Sequence, residues 1–232
     1  MNVTIIYGNQ RKGSTYNIAQ LFLKKLMSAN DNLTEFFLPE AMPSFCFGCC
    51  NCFAKGEEYC PHYDYVEPIR SAMEKSDVIV FTTPVYVLRT SGQMKTLLDH
   101  FAFQFMTHRP NPAMFSKTAV IFSTGAGGGT KSAMKDIAVS LKFWGVAKIY
   151  KAGFAVFNSE WENVSDKIKG KITVKVNSLA DSIGNKPKVN ISTKMLFRMF
   201  RLFHKKFRFC EYDYLYWERN GWIKGDRPWQ RK

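Results

Sequence analysis

Short apolar, β-branched runs alternate along this chain with longer segments whose apolar residues recur at helical spacing. Residues 3–7 (VTIIY) read as a strand ending at Gly8, with a polar loop at 9–13. Over 15–27, Ile18, Phe22 and Leu26 fall on one line with Ala19 and Leu23 beside it, which predicts a helix. Residues 33–38 give a second strand, and 65–74 a helix. DVIVFTT at 77–83 and TAVIFS at 118–123 are continuously apolar, as strands buried on both faces are. Helices follow at 91–101 and about 131–143, a fifth strand at 148–156 and a closing helix at 161–180. Strand and helix thus alternate about five times. That pattern predicts an α/β fold: a doubly wound, five-stranded parallel sheet in a three-layer α/β/α sandwich. The unit spans 1–185, with GNKPKV at 184–189 as linker, and 186–232 forms a C-terminal extension.

Composition separates the two parts. With 46% apolar and 22% charged residues the chain is globular rather than disordered. The net charge of +14 is concentrated in the extension, where residues 186–232 hold 13 basic and 4 acidic side chains. There Lys194, Arg198, Arg201, Lys205 and Arg208 recur on one face, and Leu196, Met199, Phe200, Phe203 and Phe207 on another. This predicts a basic amphipathic helix that docks on the protein or on a partner subunit. Contact with an anionic membrane surface is the second reading, and nucleic acid is not expected because no recognition motif accompanies the charge. No apolar run reaches the ~18 residues of a spanning helix. The run at 3–7 is too short for a signal-peptide core, so a cytoplasmic setting is expected.

Candidate chemistry gathers at the carboxyl ends of the strands, where open parallel sheets bind ligands. The loop Gly8-Asn9-Gln10-Arg11-Lys12-Gly13-Ser14-Thr15 stands between a strand and a helix start. Free N–H groups and the helix dipole favour an anion there, and Arg11, Ser14 and Thr15 add donors suited to a terminal phosphate. The alternative is an ordinary capped turn. Five cysteines fall in fifteen residues. Cys46-x2-Cys49-x2-Cys52-x7-Cys60-Pro61 can supply four thiolates to a [4Fe–4S] cluster. Zinc or free redox thiols are the competing readings; Cys50 has no assigned role, and Cys210 reads as a packing residue. His62, His100, His108 and His204 stand at no metal-like spacing and read as surface or core-edge side chains.

The residues also carry a resemblance. The first loop is similar to the phosphate loop Gly-Ser-x-Arg-x-Gly-Ser/Asn-Thr of NAD(P)H-dependent FMN reductases with a flavodoxin-like fold, with Asn9 where Ser is usual. Thr83-Pro84-Val85-Tyr86, followed by Gln93, Lys95 and Asp99, resembles that family's second signature, and Thr124-Gly125-Ala126-Gly127-Gly128 stands where its third flavin loop belongs. The resemblance covers roughly residues 1–155. It implies FMN held by Gly8, Asn9, Arg11, Ser14, Thr15, Asn17, Pro84, Val85, Tyr86, Val87, Thr124, Gly125 and Gly128, with NAD(P)H as cosubstrate and no catalytic side chain. Lys95 and Asp99 read equally well as a surface ion pair. The cysteine motif is similar to that of iron–sulfur flavoproteins, which implies Cys46, Cys49, Cys52 and Cys60 as metal ligands. The segment from Asp213 to Trp222 looks like the C-terminal extension of some flavodoxin-like reductases. The expected activity moves reducing equivalents from NAD(P)H through FMN to a small-molecule or protein acceptor, in a homodimer. The alternative is electron transfer between protein partners through a [4Fe–4S] cluster.

Overall fold

The computed structural model describes residues 1–184 and 187–230. Five strands, β1 (Asn2–Tyr7), β2 (Asn32–Phe37), β3 (Val78–Pro84), β4 (Thr118–Gly125) and β5 (Lys148–Ala155), form one sheet in the order β2-β1-β3-β4-β5. All four pairings are parallel. The order reverses direction between β1 and β3, and a crevice opens at such a switch point. The central strands β1, β3 and β4 are buried at nearly every residue, whereas the edge strands β2 and β5 are largely open. Hence only the central runs are continuously apolar.

Neighbouring residues on a strand point to opposite faces. Ile6, Ile79, Phe81 and Ile121 enter one core, with α3 (Tyr63–Lys75), α4 (Gly92–His100) and α5 (Thr130–Trp144). Ile5, Val80, Val120 and Phe122 enter the other, with α1 (Ser14–Leu26) and α6 (Asp166–Asp181). A short helix, α2 (Asn51–Ala54), lies inside the cysteine loop. The closing helix starts at Asp166 rather than 161. A turn closed by Val164 N–H to the Trp161 carbonyl, 3.1 Å, precedes it, and Asp166 supplies the acidic first turn that suits the helix dipole.

The extension folds onto the body as α7 (Ile191–Lys206) and α8 (Glu211–Arg219). Phe197, Trp217 and Trp222 share a third core with Met106, Phe115 and Ala147. Phe197 stacks on Trp217 with ring centroids 4.8 Å apart, and the Trp217 indole donates to the His108 carbonyl at 2.7 Å. The buried line of α7 runs through Thr193, Phe197 and His204. Leu196 and Phe200 join that core, but Met199 and Phe207 from the expected apolar face are exposed. The helix carries apolar residues on more than one side, and period alone does not say which side meets the body. The expected boundary between 185 and 186 lies outside the described residues.

Candidate functional site

The first cavity grows out of the close approach of β1 and β3. The Gly8 N–H donates to the Thr82 carbonyl at 2.8 Å, and the Ser91 hydroxyl donates to the Gly8 carbonyl at 2.6 Å. A Cβ on Gly8 would stand 2.5 Å from the Thr82 oxygen, so only glycine lets the chain turn here. Gly13 then precedes α1 without a side-chain cap, and the first turn holds no acidic residue. That helix end is therefore open to an anion. Asn17 reaches back to donate to the Gly13 carbonyl at 3.0 Å, which braces the loop.

Four loops surround a cavity of about 230 Å³. The loop after β1 contributes Asn9, Arg11, Gly13, Ser14 and Thr15; the loop after β3 contributes Pro84, Val85 and Tyr86; β4 and its loop contribute Thr124, Gly125 and Ala126. Among the described residues no acidic side chain lines the cavity. The Arg11 guanidinium donates to the Ser159 hydroxyl at 3.4 Å and stands 3.8 Å from Glu160. Asn9 donates to the Tyr86 hydroxyl at 3.3 Å, and the Thr15 and Thr124 hydroxyls are bonded to each other. Of the expected residues, Gly8, Asn17, Val87 and Gly128 stand outside the lining. Val87 and Leu88 are the centre of a tight turn in which Tyr86 and Arg89 exchange backbone hydrogen bonds, both 3.0 Å. Their φ values of +47° and +61° are left-handed, a conformation costly for a β-branched residue such as Val87.

The fourth wall, Val156 to Ser159, was not foreseen. The signal was available in Asn158-Ser159 directly after the fifth strand, at a carboxyl end like the other three.

The second cavity, about 80 Å³, is lined by all five clustered cysteines together with Phe47, Phe53, His62 and His100. Gly48 and Cys50 adopt left-handed φ values of +67° and +59°, which coil the loop. Burial pushes the Cys52 thiol up to about 11; Cys60 and Cys46 add to the rise, and Arg109 opposes it. Burial also raises Cys60, against the His62 N–H that donates to it. Among the described residues no group of three or more His, Cys, Asp or Glu is arranged around a single metal ion. The donor set nevertheless has the number and softness a [4Fe–4S] cluster requires.

Two supports behind this recess escaped the sequence reading. His100 donates through Nδ1 to the Thr96 carbonyl at 2.8 Å, and its Nε2 stands 2.9 Å from His62 Nδ1. Burial lowers the His100 pKa; a neutral His100 accepts the His62 proton at Nε2. Both rings are buried, so of the expected surface or core-edge settings the surface one does not apply to them. Arg109, 4% exposed, donates to the Cys52 carbonyl and to Asp213 of α8. His108 Nδ1 holds the second Asp213 oxygen at 2.7 Å and stacks on Phe53. Cys210 donates to the Phe53 carbonyl at 3.4 Å. The extension thus grips the cysteine loop from behind. Lys95 and Asp99 form an exposed ion pair.

The family model for NADPH-dependent FMN reductase matches residues 1–160. An iron-sulfur flavoprotein of Archaeoglobus fulgidus is 26% identical over 228 residues, covering 96% of this chain and 100% of that protein. An iron-sulfur flavoprotein of Clostridioides difficile is 31% identical over 115 residues, covering 47% of this chain and 50% of the other. Among solved structures, an azoreductase from Bacillus anthracis superposes with a TM-score of 0.62 at 14% identity, over 79% of this chain and 100% of that one. The architecture is the flavodoxin-like α/β fold.

Proposed function

The chain belongs to the NADPH-dependent FMN reductase family, and from that premise we propose that it is an FMN-dependent NAD(P)H oxidoreductase whose cysteine recess carries a [4Fe–4S] cluster in electron transfer. FMN supplies the chemistry that joins a two-electron nicotinamide donor to an acceptor. The chain supplies binding and orientation. The start of α1 and Arg11 hold the phosphate, with Ser14 and Thr15 offering hydroxyls beside it. Pro84 to Tyr86 and Thr124 to Ala126 flank the ring system with backbone groups, while Val87 and Gly128 shape those two loops from outside the cavity. Asn17 and Gly8 act from outside the cavity, one by bracing the loop and one by letting β1 meet β3. Hydride transfer between nicotinamide and flavin needs stacking and orientation rather than a side-chain acid or base, so no catalytic side chain is assigned.

The observation that carries the cluster is the convergence of Cys46, Cys49, Cys52 and Cys60 on one recess. The similarity to the Archaeoglobus iron-sulfur flavoprotein, over nearly the whole chain, supports it. We assign residues 1–185 to the FMN-binding unit and 186–232 to an extension that braces it. The working form is a homodimer in a cytoplasmic setting, and the acceptor is a small molecule or a protein.

The test is the ultraviolet–visible spectrum of protein purified without oxygen, with iron and FMN assayed on the same sample and NADH and NADPH added in turn. About four irons per chain and a broad shoulder near roughly 400 nm are expected with the flavin bands. Flavin bands without iron remove the cluster and leave a flavin reductase with free thiols. A protein that stays colourless after FMN is added removes the central claim.

A further inference from the structure

We propose that the outer face of α7 docks on an anionic lipid bilayer, with the helix lying in the headgroup plane. The helix shows the body one side only, through Thr193, Phe197 and His204. Away from that side Ile191, Met195, Met199 and Leu202 follow one another at spacings of 4, 4 and 3. Their exposures are 73%, 63%, 51% and 65%. Phe207 and Phe209 extend the apolar surface past the helix end, both exposed. A contiguous apolar row left open to water marks an interaction surface.

The charge beside the row selects the occupant. Arg198, Lys205 and Lys206 are exposed on this helix. No salt bridge to any of them is present among the described residues. Residues 187–210 contain no Asp or Glu at all. A second copy meeting this face across a two-fold axis would set cation against cation. An anionic bilayer matches both features. The apolar row enters the acyl boundary, and the basic side chains extend along it to the headgroups. Two basic residues are committed elsewhere. Arg201 donates to the Gly225 carbonyl at 3.1 Å and to that of Asp226, and Lys194 lies over the Trp229 ring. These two hold the C-terminal turn and leave Arg198, Lys205 and Lys206 for the surface. Attachment is peripheral, since no helix among the described residues is long and apolar enough to cross a membrane.

The experiment is co-sedimentation of the full, FMN-loaded chain with vesicles. One set is phosphatidylcholine alone, the other phosphatidylcholine with an equal amount of phosphatidylglycerol. Binding is expected to the anionic vesicles only, and to fall as salt rises. Arg198→Gln and Lys205→Gln should each lower partitioning about fivefold, the effect of one basic residue near an anionic surface. Leu202→Asp should abolish it. Flavin absorbance checks that each variant is folded. The proposal is overturned by absence of binding to anionic vesicles, or by binding that Leu202→Asp leaves intact. It is also overturned if Leu202→Asp reduces the oligomer size in lipid-free solution, because a second copy then covers the face.

Discussion

At the scale of single residues, the flavin side of the molecule depends on a few positions whose chemistry is local. Arg11 is half exposed and only loosely held, by a 3.4 Å contact to Ser159 and a 3.8 Å approach to Glu160. It is therefore free to turn onto a phosphate. Arg11→Gln should weaken FMN binding about tenfold, the loss of roughly 1.5 kcal/mol from one charge-assisted hydrogen bond. Fluorescence titration of the apoprotein with FMN measures this, and an unchanged dissociation constant would remove Arg11 from the phosphate site. Gly8 is a different case. A methyl group there meets backbone oxygen rather than a flexible side chain. Gly8→Ala must push β1 from β3, so both thermal stability and FMN retention should fall together. These positions were legible because a strand end, a glycine-bearing loop and a helix start lie within one short stretch of sequence. Phe157, Asn158 and Ser159 carry a fainter signal, their place after the fifth strand, because that loop has no glycine run or helix start and reaches the cavity through β5 pairing with β4.

At the scale of elements, the parts hardest to read were those joined across long stretches of chain. Arg109 and Asp213 are 104 residues apart. Nothing in either neighbourhood announces a pair. Amphipathic periodicity revealed α7 but not its orientation, because Phe197 rather than Phe203 or Phe207 is the anchor. The central strands gave themselves away by continuous apolar runs, and the edge strands β2 and β5 by weaker ones. The clamp makes a sharp prediction. Arg109→Gln leaves Asp213 buried at 1% exposure with His108 as its remaining ionisable partner. Breaking a buried pair from one side costs about 3 kcal/mol, or roughly 6–12 °C of melting temperature in a chain of this size. The same change frees the Cys52 carbonyl and leaves the Phe53 carbonyl to Cys210 alone, so alkylation of the recess thiols should speed up while the flavin spectrum is retained. If alkylation is unaltered, α8 does not brace the cysteine loop.

At the scale of the whole molecule, three cores are stacked through the sheet and into the extension, and the third contains a titratable ring. His204 is 4% exposed, against Trp217 at a centroid distance of 4.7 Å. Burial lowers its pKa; Asp213 and the Met106 and Thr107 carbonyls pull it upward, and His108 pushes it down further. Burial is the largest of these, so the folded protein binds the proton less well than the unfolded chain, whose histidines titrate near ~6.5. As pH falls below about 6.5 the unfolded chain takes up a proton that folded His204 refuses, and stability drops with it. Above that value both states are neutral and the effect vanishes. Melting temperature should therefore be flat from about pH 8 to 7 and decline below about 6.5. His100, also lowered by burial, contributes in the same direction from the cysteine recess. The two are separable with His204→Phe, which keeps an aromatic ring against Trp217 and removes the titration. That variant should show a shallower decline with an unchanged plateau. An identical decline would mean that the core shared by the body and the extension does not sense pH, and that the acid sensitivity lies in the recess alone.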